Sequence, residues 1–141
     1  MSEYRRYECE FIADKKILLA GLDRLGLKYE THEDAVPLIG FQGDRRKEKA
    51  EIVIRRESLD ASFTNSSNDI GFHFNEKSGA FEMIISEYDQ RRGLKERILQ
   101  AYAATAIEEA FKKERFRNQS EAFDLRSKKI QSVTLVGRKM V

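Results

Sequence analysis

The stretch from Asn68 to Ser86 constrains the fold most. Ile70, Phe72 and Phe74 alternate with Asp69, Gly71 and His73. That period of two places apolar side chains on one face of a strand and polar or small ones on the other. The polar run Glu76-Lys77-Ser78-Gly79 follows, and the chain returns with Phe81, Met83 and Ile85 on one face. A short polar connection with a glycine near its end suits a β-hairpin. We place this hairpin at the centre of a sheet.

The remaining elements read off in order. Tyr7 to Ile12 alternates weakly and is expected to be a first strand. Asp14 is a good helix N-cap, because its carboxylate can accept from free backbone N–H groups. Ile17, Leu18, Leu22 and Leu25 then follow at helical spacing, and Gly26 ends the helix. Leu27 to Glu30 starts a second strand, Thr31 to Ala35 is a polar link, and Gln42 to Lys49 is a charged loop. Ala50 to Arg55 is a strand with Ile52 and Ile54 on one face. Leu59 to Ser67 has neither period and reads as a loop. Glu87 to Arg92 leads into a long helix over roughly Gly93 to Phe116. Leu94, Ile98, Ala101, Tyr102 and Thr105 form one apolar stripe on it, and Leu99, Ala103, Ile107, Ala110 and Phe111 an adjacent one. Glu121 to Leu125 and Ile130 to Val136 are expected to be closing strands. The sum is an α+β layer fold: a mainly antiparallel sheet with two helices on one face, ferredoxin-like or related.

The 141 residues suit a single domain, with 57–67 as a mobile loop or insertion and 126–141 as a basic segment. The 26 Lys and Arg nearly balance the 24 Asp and Glu, leaving +2. Any attraction to nucleic acid must therefore be local. The one cysteine, Cys9, excludes an internal disulfide and a Cys-x-x-Cys metal site, and points to a reducing, cytoplasmic compartment. The charged start, Met1 to Arg6, reads as no signal peptide, and no apolar run approaches the ~18 residues of a membrane span.

Five short stretches occur in order across the middle of the chain. They are Ile39-Gly40-Phe41-Gln42-Gly43, Ala50-Glu51-Ile52-Val53-Ile54, Asn68-Asp69-Ile70-Gly71-Phe72, Phe81-Glu82-Met83 and Ile98-Leu99-Gln100-Ala101-Tyr102-Ala103. Together they resemble a family of small proteins encoded in red-algal plastid and cyanobacterial genomes, with relatives in other bacteria. It is known as a conserved plastid reading frame and a domain of unknown function. Ser58 to Ser67 looks like an insertion relative to that family, and Arg126 to Val141 is more basic than its pattern. The resemblance implies no catalytic residues. It implies genes lying near one for an AAA-type ATPase, hence a partner-dependent role, and a plastid stroma if the gene is plastid-encoded.

Four constellations carry possible chemistry. Asp69, His73 and Glu82 on one hairpin face could bind a metal or act as acid and base, but a solvated sheet face has the same pattern. Cys9 lies beside Glu8 and Glu10, which raise a thiol pKa, so a buried structural cysteine is the plainer reading. Gly40 to Lys47 has two glycines before a cationic run and could cradle a phosphate. It lacks the Gly-Lys-Ser/Thr ending of a P-loop. Phe41 beside Arg45 and Arg46 leaves room for stacking on single-stranded nucleic acid. The basic residues of 112–117 surround Glu114 and Phe116, and Arg126, Lys128, Lys129, Arg138 and Lys139 follow with no acidic residue from 126 on. Those cations are a solvated surface or a docking surface for an acidic partner or RNA. Lys128 and Lys129 are expected at a turn between two strands.

The expectation is a small non-enzymatic adaptor or subunit acting through a protein partner, an AAA-type ATPase among the candidates. The alternative is an RNA- or DNA-binding module using 112–117 and 126–139. An enzyme using the hairpin face or Cys9 ranks third. Partner contact falls to Phe41, Arg45, Arg46, Lys128, Lys129, Arg138 and Lys139. No cofactor, metal or membrane is expected, and the oligomeric state is not legible.

Overall fold

The computed structural model describes residues 3–9, 12–62 and 68–131, with side chains over 3–9, 12–59 and 68–122. The chain divides into two compact units, Met1–Thr105 and Ala106–Val141. Its elements are β1 (Tyr4–Glu8), α1 (Lys15–Arg24), β2 (Glu30–Ile39), β3 (Arg45–Ile54), α2 (Arg56–Ser62), β4 (Ile70–Asn75), β5 (Ala80–Ser86), α3 (Glu87–Arg91) and α4 (Leu94–Gln131). The first unit holds a five-stranded sheet in the order β1-β5-β4-β3-β2, with every neighbour antiparallel. The fold is α+β with two main helices, α1 and α4. The ferredoxin-like topology expected from the element order is not shown, since β1 lies at an edge of the sheet.

The β4–β5 hairpin is central, as its alternation requires. Phe72 pairs with Met83 and Phe74 with Phe81. Asn75 builds the turn: its Oδ1 accepts from Lys77 N at 2.9 Å, and its carbonyl accepts from Gly79 N at 2.8 Å. Gly79 sits at φ 72°, a backbone state that favours glycine.

Ile52, Phe72, Met83 and Tyr7 stand opposite one another from β3 to β1, so they share a face. Lys95 Nζ lies 3.8 Å from the centroid of the Tyr7 ring, which places the start of α4 there. Leu94, Ile98, Ala101, Tyr102 and Thr105 are buried. Asp14 caps α1 by accepting from Lys16 N and Ile17 N, and its own N–H donates to the Tyr102 hydroxyl at 3.1 Å. A Cβ at Gly21 would lie 3.2 Å from the backbone nitrogen of Tyr102, so α1 and α4 meet closely there.

The β2–β3 hairpin covers part of the opposite face. β3 pairs with β4 only over Ile52–Ile54, and the β2–β3 register shifts between Thr31 and Val36 and again between Pro37 and Ile39. Those irregularities bend the hairpin, as bulges do. Leu38, Ala50, Val53 and Ile84 form a buried cluster flanked by Tyr4 and Val36. Gly71 makes room for it: a Cβ there would meet Ala50 Cβ at 2.7 Å and a Leu38 methyl at 3.0 Å.

Several expectations change. The first strand begins at Tyr4 and ends at Glu8, and Ile12 is a buried connecting residue. Thr31 to Ala35 and Arg45 to Lys49 lie within β2 and β3, with Thr31, Arg45 and Lys49 paired across the hairpin and the residues between them at the register shifts. Cross-strand backbone bonds form regardless of side-chain charge, so polar composition hid them. The loop expected from Leu59 is helical through Ser62, and 63–67 lie outside the described residues. Glu87–Arg91 is a short helix capped by the Ser86 hydroxyl.

The expected strand Glu121 to Leu125 is helical, as are Ile130 and Gln131; 132–136 lie outside the described residues. The physical reason is propensity. From Ala106 to Gln131 there is no Gly or Pro, and the only β-branched residues are Ile107 and Ile130. In the second unit, the described residues are this part of α4. No described helix is long and apolar enough to cross a membrane.

Candidate functional site

The tip of the β2–β3 hairpin is a tight turn, with Gly40 N donating to Asp44 O at 2.8 Å and Gly43 at φ 80°. It docks on the residues just before β4. Ile39 N donates to Asp69 Oδ2 at 2.9 Å, and Phe41 N to Asn68 Oδ1 at 2.9 Å. Asp69 N returns a bond to Ile39 O at 3.1 Å. Asp69 is 2% exposed, and its carboxylate also accepts from Arg55 Nη1 and Arg56 N, both at 2.8 Å. Arg55 grips Glu30 with Nε at 2.8 Å and Nη2 at 2.9 Å. The Tyr4 hydroxyl donates to Asp69 O at 2.7 Å.

These contacts shape the charges. Arg55 donates to Glu30 and holds its carboxyl down at about 2, and Glu30 in turn raises Arg55. Burial raises the Tyr4 phenol, with Asp69 adding to it. Both oxygens of Asp69 are committed to donors, so this carboxylate acts as a clasp on the hairpin.

Beside the clasp lies a cleft of about 290 Å³ with Val36, Pro37 and Ile39 as its apolar lining and Arg45 and Glu57 among its charged residues. Phe41 is 37% exposed and Arg45 is exposed. Arg46 turns inward instead. Its guanidinium lies 5.1 Å from the Tyr4 ring centroid and 3.6 Å from Asp44 Oδ2. So Phe41 and Arg45 reach solvent, and Arg46 packs against β1. The Gly40–Lys47 segment joins two strands, with no helix N-terminus behind it.

The trio Asp69, His73 and Glu82 is not brought together as a site. Asp69 is held by Arg55, His73 Nδ1 lies 2.8 Å from Glu51, and Glu82 bonds Arg6 and Asn75. Among the described residues, no three His, Cys, Asp or Glu side chains could hold a metal ion. Cys9 is buried, which pushes its thiol pKa up. Its Sγ donates to Tyr7 O at 3.5 Å.

The second unit differs. Ile107, Phe111 and Phe116 are 57%, 73% and 72% exposed, the largest values among the described large apolar side chains. The expected second stripe of α4 is therefore not core from Ala103 on: Ala103, Ile107, Ala110 and Phe111 all face water. Cations interleave with the aromatics. Lys112 pairs with Glu109 at 3.8 Å, and Arg117 pairs with Glu114. Glu114 is lowered and Arg117 raised by that bond. Among the described residues, no carboxylate pairs with Lys113 or Arg115. Lys128 and Lys129 lie in α4 and not at a turn between strands; Arg138 and Lys139 lie outside the described residues. Helical period alone puts Ile107 and Phe111 on an apolar stripe, which reads as a buried one. The signal against it was the run of charges on both sides of them.

The profile of a family described as protein of unknown function, DUF1257, matches residues 21–135 of this chain. Among curated proteins and among solved structures, none matches.

Proposed function

The chain belongs to the DUF1257 family, a family of unknown function, and from that premise we propose that it is a small non-enzymatic adaptor or subunit acting through a protein partner. One observation carries the reading: Ile107, Phe111 and Phe116 stand in water on α4. Ile107 and Phe111 adjoin one helical turn apart, and adjoining apolar side chains left in water mark interaction surfaces. The partner class implied by the resemblance to plastid and cyanobacterial reading frames is an AAA-type ATPase, met in the cytoplasm or stroma. The test is affinity purification from native cells, with nuclease added to half of the sample. A partner that survives nuclease supports the adaptor.

The cations at Lys112, Lys113, Arg115 and Arg117 favour a second reading, an RNA- or DNA-binding module to which Lys128, Lys129, Arg138 and Lys139 add basic residues later in the sequence. Recovery that is lost with nuclease selects it and rejects the adaptor.

A further inference from the structure

We propose that the cleft beside the Asp69 clasp binds a free aliphatic α-amino acid. The site goes beyond the adaptor reading and stands apart from the exposed residues of α4. Size sets the first limit. The cleft measures about 290 Å³. Ordinary ligand pockets run from roughly 300 to 1,000 Å³, so this one suits a small metabolite. Charge sets the second limit. Asp69 and Arg55 line the cleft but are spent on the clasp. Both Asp69 oxygens accept, and the Arg55 guanidinium holds Glu30 and Asp69. Arg45 and Glu57 remain. Arg45 stands opposite Ile39 across the β2–β3 hairpin, and Glu57 lies in the first turn of α2. Both are exposed, and neither has a hydrogen bond or ion pair among the described residues. A lone carboxylate would satisfy Arg45 and set like charge in the same cleft as Glu57. A lone amine would do the reverse. A zwitterion complements both.

The apolar lining sets the third limit. Val36, Pro37 and Ile39 are half-buried in the cleft. A ligand with an aliphatic body takes the rest of that surface out of water. An aliphatic α-amino acid carries a carboxylate, an ammonium group and an apolar side chain in few atoms. The lining is also fixed in advance. Asp69 accepts from Ile39 N, and Val36 packs against the cluster of Leu38, Ala50, Val53 and Ile84. Binding therefore has little ordering of the wall to offset.

The experiment is an NMR titration of the isotope-labelled full chain with three probes. They are L-leucine, isocaproate, which lacks its ammonium group, and isoamylamine, which lacks its carboxylate. The expected result with L-leucine is saturable shifts at the backbone amides of Val36, Ile39, Arg45 and Glu57. Each truncated probe is expected to bind about tenfold more weakly or worse, since each leaves one charge unmatched. Arg45→Gln is expected to weaken L-leucine and isocaproate by about tenfold and to spare isoamylamine. Glu57→Gln is expected to weaken L-leucine and isoamylamine by as much and to spare isocaproate. Melting of both variants is expected to stay at wild type, since both side chains are exposed and outside the clasp. Absence of saturable shifts with L-leucine up to about 10 mM overturns the site. Isocaproate or isoamylamine binding as tightly as L-leucine overturns the zwitterion. L-leucine binding that ignores both substitutions places it away from Arg45 and Glu57 and overturns the proposal.

Discussion

Arg55 Nη1 donates to Oδ2 of Asp69 at 2.8 Å, and Asp69 is 2% exposed. The pair ties the residue after β3 to the residue before β4. The same carboxylate holds the backbone of Ile39, so one side chain fixes the hairpin tip over the sheet. Removing Asp69 leaves Arg55 its bonds to Glu30 but takes the acceptor from the backbone N–H groups of Ile39 and Arg56. Asp69→Ala is expected to lower unfolding free energy by about 1–3 kcal/mol for each donor left unsatisfied, in urea titration. Glu109→Ala, at an exposed pair, is expected to change it by less than about 1 kcal/mol. Similar small losses for both would show that the clasp contributes no more than a surface pair.

Glu30 gives this clasp a pH dependence. Arg55 lowers its carboxyl from 4.5 to about 2, with His32 adding to the effect. The folded value lies below the unfolded one, so the unfolded chain binds the proton first. The stabilisation is therefore complete above the unfolded pKa and is lost as pH falls from about 4.5 toward about 2. Melting temperature is expected to fall more steeply across that window in wild type than in Glu30→Gln. Parallel curves for the two proteins would remove Glu30 from the account.

Gly71 is defined by what its missing side chain admits. Ala50 Cβ would lie 2.7 Å from a Cβ at this position, and both sit on backbone fixed by sheet pairing. Gly71→Ala is expected to cost about 1–3 kcal/mol, the usual range for overpacking. Adding Ala50→Gly removes the colliding methyl, so the double variant should recover part of the loss. A double-mutant cycle with no coupling would place the clash elsewhere.

Phe72 is fully buried between β3 and β5 neighbours, in line with the alternation around it. Phe72→Ala is expected to cost about 3–5 kcal/mol through lost burial and a residual cavity. An unchanged urea midpoint would contradict its place in the core.

By itself, the sequence determined those elements whose side chains carry the pattern. The β4–β5 hairpin, the Asp14 cap, the end of α1 at Gly26 and the buried stripe Leu94 to Thr105 were all legible, because each follows from local period or capping chemistry. Tertiary structure alone decided the rest. Thr31–Ala35 and Arg45–Lys49 fall within β2 and β3 because Thr31 pairs with Ile52, Lys49 with Pro37 and Arg45 with Ile39, pairings that no alternation announces. Asp69 read as one corner of a possible metal face, yet it closed on Arg55 and Ile39, residues 14 and 30 positions away. Ile107 and Phe111 kept helical spacing, but spacing fixes only which residues share a helix face. Whether that face is covered depends on surfaces brought up from elsewhere, and Ile107 and Phe111 stay exposed.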